Sequence, residues 1–291
     1  MSSRRHFLKI AAGAAAAALP VPAAAKRSAT DWVPLGNSGV KVTRLAFGTG
    51  TYGGRVQREL GQEKFTRLVR HAYDRGIRFF ETADNYAEMH EMLAIALKGI
   101  PRDTYRLMTK FRLRETESVP ATLDRFRRET NSEYFDIVLL HCVRAHDWNN
   151  EFARFRDGLS EAKHKKTLIA HGASCHGLLP LRTFAGNNWL DVALMRINHD
   201  GARMDRLERN DTSEKGNVPE VTNHVANVHK QGTGVIGMKI IGEGQFTDPD
   251  QREKSIRYVM GLGTVDAVTI GYKSPAEIDE AITRINSALN S

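Results

Sequence analysis

Beyond residue 30 the chain alternates short apolar, β-branched runs with longer stretches in which apolar residues recur every three to four positions. The runs KVTRLAFG (41–48), IRFFETA (77–83), YRLMTKF (105–111), FDIVLLHC (135–142), TLIAHGAS (167–174), LDVALMRIN (190–198), GVIGMKII (234–241) and VDAVTIGY (265–272) predict strands. Helical periodicity lies between them, as in residues 63–76, 119–130, 218–232 and 274–289. Eight strands alternating with helices over about 250 residues predict a parallel (β/α)8 barrel of one domain. An open doubly wound sheet is the rival. Gly48, Gly50 and Gly53 spell a G-x-G-x-x-G pattern after the first run. That pattern needs a helix starting at the glycines, and here GRVQRELGQ intervenes before periodicity begins near Glu63.

The apolar pattern fails at the strand ends. Residues two apart in a strand share a face. Glu81 therefore follows Phe79, Lys110 follows Met108, and His141 follows Ile137 and Leu139, each ending a row otherwise expected to be buried. Tyr86 lies just past Glu81, with Asp84 between them. Carboxyl ends of parallel strands are where barrels do chemistry. Singly, such residues are more often rim ion pairs or hydrogen-bonded structural groups. Four at successive strand ends point to carbonyl reduction. Tyr86 would protonate the oxygen, and a nearby Lys110 is expected to lower its pKa. Glu81 would aim the lysine, and His141 would donate to the carbonyl oxygen while hydride arrives from a nicotinamide.

The first 25 residues stand outside this pattern. SRRHFLK, a short alanine-rich run and the small residues Ala23–Ala25 read as an export signal, with cleavage expected after Ala25. The bland alternative is a disordered basic tail. The run is too short and too weakly apolar to span a bilayer, which takes about 20 strongly apolar residues, so no stable membrane insertion is expected. Arg4-Arg5 followed by Phe7, Leu8 and Lys9 resembles a twin-arginine signal, which implies the twin-arginine export machinery as a partner and a periplasmic destination.

Removing residues 1–25 takes three of the 42 Lys and Arg and none of the 34 acids, so the formal charge falls from +8 to +5. The basic residues are scattered without interleaved aromatics, so no nucleic-acid surface is predicted. Cys142 and Cys175 both end predicted strands, which leaves a disulfide conceivable and two free thiols the better reading. No metal site is expected, since no His-x-His or comparable cluster is present, and His171 and His176 read as loop residues.

From about Val33 to Leu289 the chain resembles the aldo-keto reductase superfamily, through PLGNSGVKVTRLAFGTGTYGG, GIRFFETADNY, MTKF, LLHC, GASC and IGYKSPAEI. The resemblance implies residues 26–291 as one (β/α)8 barrel with a short N-terminal β-hairpin. It also implies a small carbonyl or alcohol substrate and NADP, with NAD possible, as cofactor. It places the family's catalytic tetrad on Glu81, Tyr86, Lys110 and His141, leaving Asp84 bonded within its loop. It implies cofactor contacts at Gly48, Thr49, Ser174, Asn198, Lys239, Gly271, Tyr272, Lys273 and Ser274, the last two at the adenosine phosphate. On the residues alone, Ser274-Pro-Ala-Glu277 is equally a helix cap.

Departures are several. The tetrad acid is Glu rather than Asp. Leu194, Arg196 and Ile197 replace a carboxamide-binding Gln, a Glu and an aromatic, and Met238 stands where a ring stacks on nicotinamide. Glu277 lies at or near an Arg that grips the 2′-phosphate. No long C-terminal substrate loop follows before Ser291, so an open-sided pocket is expected. These losses keep a second class alive, a redox-silent barrel that binds a ligand or partner. The charged stretch 199–216, with Arg203, Arg206 and Arg209, reads as a solvated helix face or as a lid over an anionic substrate.

Overall fold

The computed structural model describes residues 26–113, 118–207 and 214–291. The export-signal segment and Arg209 lie outside these. Strands β1 (Trp32–Pro34) and β2 (Lys41–Thr43) form an antiparallel hairpin. The barrel strands are β3 (Leu45–Gly48), β4 (Phe79–Glu81), β5 (Arg106–Phe111), β6 (Phe135–Val143), β7 (Leu168–Cys175), β8 (Val192–Arg196), β9 (Gly234–Met238) and β10 (Ala267–Gly271). All pair in parallel, and β10 closes on β3. The barrel prediction holds, and the open sheet is excluded by that closure.

Among the described residues the helices are α1 (Arg55–Arg58), α2 (Gly61–Asp74), α3 (Met89–Leu97), α4 (Val119–Thr130), α5 (Trp148–Glu151), α6 (Ala153–His164), α7 (Leu178–Leu181), α8 (Val218–Lys230), α9 (Pro249–Gly261) and α10 (Pro275–Leu289). The periodic segments place four of them to within two residues. Each of α4, α8 and α10 starts with proline in its first turn, where a missing N–H costs nothing. The run KVTRLAFG, expected as one strand, divides at Arg44. Lys41–Thr43 pairs with β1, and only Leu45–Gly48 enters the barrel.

Side-chain alternation sorts the apolar residues into two cores. Phe79, Met108, Ile137, Leu139, Ala170, Leu194 and Ile236 fill the barrel interior. Leu35, Val40 and Val42 from the hairpin region join that core, and Gly36 bridges Thr233 at the entrance to β9, so the hairpin stoppers the N-terminal end. Outward rows such as Phe47, Phe80, Phe111 and Phe135 pack beneath the helices. Because the interior is filled from below, open space is confined to the C-terminal mouth, where Glu81, Lys110 and His141 end their inward rows.

Gly172 in β7 marks how closely strands approach. A Cβ there would lie 1.7 Å from the backbone carbonyl oxygen of Val192 on β8. Gly172→Ala must spread a strand pair, at the upper end of the range for overpacking, about 3 kcal/mol. Chemical denaturation of the purified variant should show that loss, and a change below about 0.5 kcal/mol would mean that the β7–β8 contact yields easily.

Candidate active site

The buried ammonium of Lys110 organises the mouth. Lysine has three donors and no acceptor, and all three are used. Nζ ion-pairs with Glu81 Oε1 and donates to Thr82 O at 2.9 Å and to the Tyr86 hydroxyl oxygen at 3.1 Å. Glu81 is itself buried, and its other oxygen accepts from Thr269 Oγ1 at 3.2 Å. Gly48 makes room for this longer acid, since a Cβ there would stand 3.0 Å from Glu81 Oε2 and 2.6 Å from Thr269 Oγ1. Gly50 does the same for the phenol, with the Tyr86 oxygen 2.5 Å from where its Cβ would be.

One consequence fixes a proton. Lys110 donates to the phenolic oxygen, so the Tyr86 hydrogen cannot point at Lys110 and is free to point into the cavity. His141 faces the same space, its ring edge-on to Tyr86 at 5.5 Å between centroids. Burial and then the charge of Lys110 push the His141 pKa well below the usual histidine range, with Arg144, Lys239 and Arg112 adding to it. His141 is therefore a neutral imidazole that retains one N–H.

Tyr86 corrects one expectation. Its enclosure, followed by the charge of Glu81, pushes its pKa well above the ordinary tyrosine value. From sequence, a nearby Lys110 is expected to lower it. In the folded chain Lys110 lies against the Glu81 carboxylate as well, and that negative charge opposes phenolate formation.

The tetrad lies within a cavity of about 570 Å³, inside the usual range for ligand sites. The cavity runs from Glu81, Tyr86, Lys110 and His141 past Leu194 and Met238 to the start of α10. The predicted cofactor residues divide along it. Gly48, Lys239, Gly271, Tyr272 and Lys273 line it. Lys239 ion-pairs with Glu243, and burial lowers its pKa. Tyr272 is buried, and its hydroxyl has no hydrogen-bond partner among the described residues.

Ser174 and Asn198 are brought near the mouth but are spent on the protein. Ser174 Oγ accepts from Cys142 N at 2.8 Å, while Asn198 donates to Ala202 O and Lys239 O and accepts from the amides of Asp200 and Gly201. Thr49 is fully buried and donates to Glu81 O at 3.0 Å. None of these three lines the cavity.

At the α10 end, Ser274 Oγ accepts from Glu277 N at 3.4 Å as a helix cap, and Glu277 Oε2 accepts from Lys273 N at 2.6 Å. The cap reading of Ser-Pro-Ala-Glu is therefore realised. Beyond it, Glu280 Oε1 accepts from both Arg252 Nε and Arg284 Nε at 2.8 Å. Sequence reading missed Arg252, Glu280 and Arg284, although Glu277, Glu280 and Arg284 follow an i, i+3, i+7 helical spacing that puts them on one face. It also missed Thr269, a polar residue inside an apolar strand.

Three further placements differ from expectation. Asp84 is not bonded within its loop but ion-pairs with Arg125 of α4 at 2.8 Å. His171 is no loop residue, since it sits in β7 and stacks on Trp189 at 4.5 Å. His176 follows β7 as expected but lines the cavity. Both cysteines are free thiols. His141, Cys142 and His176 bring potential ligand atoms within 4.8 Å of one another, a grouping that sequence spacing did not reveal. Arg196 donates to His176 Nδ1 at 2.6 Å, however, and so takes the ring's free lone pair.

Comparison with known proteins agrees with the barrel fold. Residues 44–164 match the model of the Aldo/keto reductase family, and residues 1–20 match the TAT (twin-arginine translocation) pathway signal sequence. The family match thus spans less than half of the chain and lies behind the segment that matches a twin-arginine signal. A probable aldo-keto reductase 1 of Glycine max is 39% identical over 85 residues, covering 27% of this chain and 23% of that protein. Versiconal hemiacetal acetate reductase of Aspergillus parasiticus is 32% identical over 128 residues, covering 40% of this chain and 37% of that protein. The matched segments thus span well under half the length of these curated relatives. The fold extends further. An aldo-keto reductase of Bacillus halodurans in its holo form superposes with a TM-score of 0.68 at 15% identity, over 88% of this chain and 93% of its own. An aldo/keto reductase of Klebsiella pneumoniae in complex with NADP and acetate gives 0.62 at 14%, over 89% and 90%.

The geometry makes the charge balance at Tyr86 testable without turnover. In wild-type protein labelled with 13C-tyrosine, the Tyr86 resonance should remain that of a phenol through about pH 10, where free tyrosine ionises. Glu81→Gln removes the charge opposing the phenolate and leaves Lys110 in place, so the Tyr86 pKa should fall. A rise in that variant would show that the carboxylate helps the phenolate.

Proposed function

We propose that the mature chain, residues 26–291, is an NADP(H)-dependent oxidoreductase interconverting a small aldehyde or ketone and its alcohol, exported folded to the periplasm by the twin-arginine route. One observation carries the reading. Lys110 Nζ joins the Glu81 carboxylate and the Tyr86 phenol at the floor of a cavity that His141 also faces.

Those groups divide the work of reduction. The N–H of neutral His141 orients the substrate oxygen and meets its growing negative charge without giving up a proton. The Tyr86 hydrogen, turned away from Lys110, is transferred to that oxygen. As negative charge appears on the phenolic oxygen, the Lys110 hydrogen bond to it becomes charge-assisted and strengthens. A phenol held protonated in the resting state is thus stabilised as phenolate only when the substrate demands its proton. In the reverse direction the same groups take the alcohol proton.

A nicotinamide nucleotide bound in the cavity would supply the hydride. The cavity reaches a far end where Arg252, Arg284 and Lys273 would hold phosphate and where the Tyr272 hydroxyl lacks a partner among the described residues. Leu194 and Met238 would flank the nicotinamide. Its carboxamide finds fewer partners, because Ser174 and Asn198 are already bonded. That loss favours the second reading, a ligand-binding barrel without turnover. Fluorescence of added NADPH separates the two: the enzyme reading expects saturable quenching and oxidation by an aromatic aldehyde, and absence of both would overturn it.

Tyr86→Phe deletes one hydroxyl from a ring whose packing stays. Carbonyl reduction should fall by about 10²–10⁴-fold, with thermal midpoint and NADPH binding close to wild type. A loss below tenfold would remove Tyr86 from the role of acid.

Glu280 competes with any phosphate for Arg252 and Arg284. Glu280→Gln should tighten NADPH several-fold in a fluorescence titration and leave NADH nearly unchanged. Equal effects on both nucleotides would place the 2′-phosphate elsewhere.

A further inference from the structure

His176 is the cavity-lining group that the proposed reduction leaves unused. It sits in the turn after β7, its amide donating to Val143 O at 3.0 Å, with its ring 6.1 Å from that of His141. Arg196 NH2 lies 2.6 Å from His176 Nδ1, and a guanidinium can only donate. Nδ1 is therefore the acceptor, and the ring proton of the neutral imidazole must be on Nε2. Arg196 is paired in turn with buried Asp205, whose Oδ1 lies 3.4 Å from its NH1 as an ion pair without a hydrogen bond. Burial pushes the His176 pKa well below the usual range, and the Arg196 charge adds to this, so the ring stays neutral and the tautomer single. A buried acid and a strand-end arginine thus fix the N–H on Nε2, where the Cys142 sulfur 3.5 Å away offers only a weak acceptor.

The surroundings indicate what that N–H would meet. Arg112 and Arg144 directly follow β5 and β6 on the same rim, are exposed, and form no ion pair among the described residues. The carbonyl of Arg144 abuts the His176–Gly177 turn, 3.7 Å from where a Gly177 Cβ would stand. Lys239 projects into the cavity from β9's end. The nearby acids among the described residues are engaged: Glu81 with Lys110, Glu243 with Lys239 and Arg203, Asp205 with Arg196. Among the described residues, an anion at this rim therefore meets no uncompensated carboxylate.

We propose that His176, locked as an Nε2–H donor by the Arg196–Asp205 pair, is a substrate-binding residue that reads a carboxylate carried by the carbonyl substrate. Together with Arg112 and Arg144 it sets specificity for carbonyl acids over neutral carbonyl compounds. This rests on the reduction reading, so the test has an arm without turnover.

The mature chain is assayed with NADPH and either 3-carboxybenzaldehyde or methyl 3-formylbenzoate, one carbon skeleton with and without the charge. Wild type should prefer the acid at least tenfold in kcat/KM. His176→Phe should abolish the preference through the acid's KM, and His176→Gln, which keeps a donor, should restore part of it. Separately, benzoate titrated into protein with 15N-labelled histidine should shift the Nε2–H resonance of His176, and benzamide should not. If aldehydes are reduced but acid and ester are equal and benzoate leaves His176 unmoved, the carboxylate site is overturned while the reductase reading stands. If no aldehyde is turned over and benzoate still shifts His176, the reductase reading falls and the anion site stands.

Discussion

A single buried cation governs this barrel's mouth. An ammonium enclosed in protein is costly unless every donor has an acceptor. Lys110 meets that demand with a carboxylate, a backbone carbonyl and a phenol. Each acceptor then constrains something else. Glu81 requires Gly48 to lack a side chain and takes the Thr269 hydroxyl. Tyr86 is pulled against Gly50. Chemistry and packing here are one arrangement, because the partners that make the lysine tolerable are those that aim it.

The same constraint explains a reversal of the expected electrostatics. A lysine beside a tyrosine is usually taken to favour phenolate. With Glu81 against the ammonium, the pair is close to neutral as seen from the phenol, and burial then dominates and keeps the proton on. In the proposed reduction such a group is a poor acid at rest and would become an effective one only through the hydrogen bond that strengthens as charge develops. Stabilisation reserved for the transition state is what raises a rate.

At the other end of the cavity the balance differs. Glu277 and Glu280 occupy backbone and guanidinium donors that an incoming phosphate would need. Near His141 and His176 the unmatched charge is positive. The surroundings are therefore polarised, with counter-charged donors under α10 and, on the rim near His141, the exposed Arg112 and Arg144, which form no ion pair among the described residues, so nucleotide and substrate would meet different electrostatics.

Much of this was written locally. Short continuous apolar runs separated by helical periodicity pointed to a parallel barrel, because each strand of such a barrel is buried on both faces and reads as apolar throughout. The polar ends of those rows disclosed Glu81, Lys110 and His141, since a charged residue ending a buried row has few reasons to be there. What the one-dimensional pattern could not carry were the partners reached across it. Asp84 meets Arg125 across 41 positions, Thr269 meets Glu81 across 188, and Ser174 and Asn198 turn out to be spent on neighbouring backbone. The role proposed for His176 depends on an arginine 20 residues onward and on a proton position that only the Arg196 contact determines. Hydrophobic periodicity is a property of neighbours in the chain, and it specifies elements and their faces. Which donor faces which acceptor is set by closure of the barrel, and so protonation, tautomer and charge balance belong to the tertiary structure.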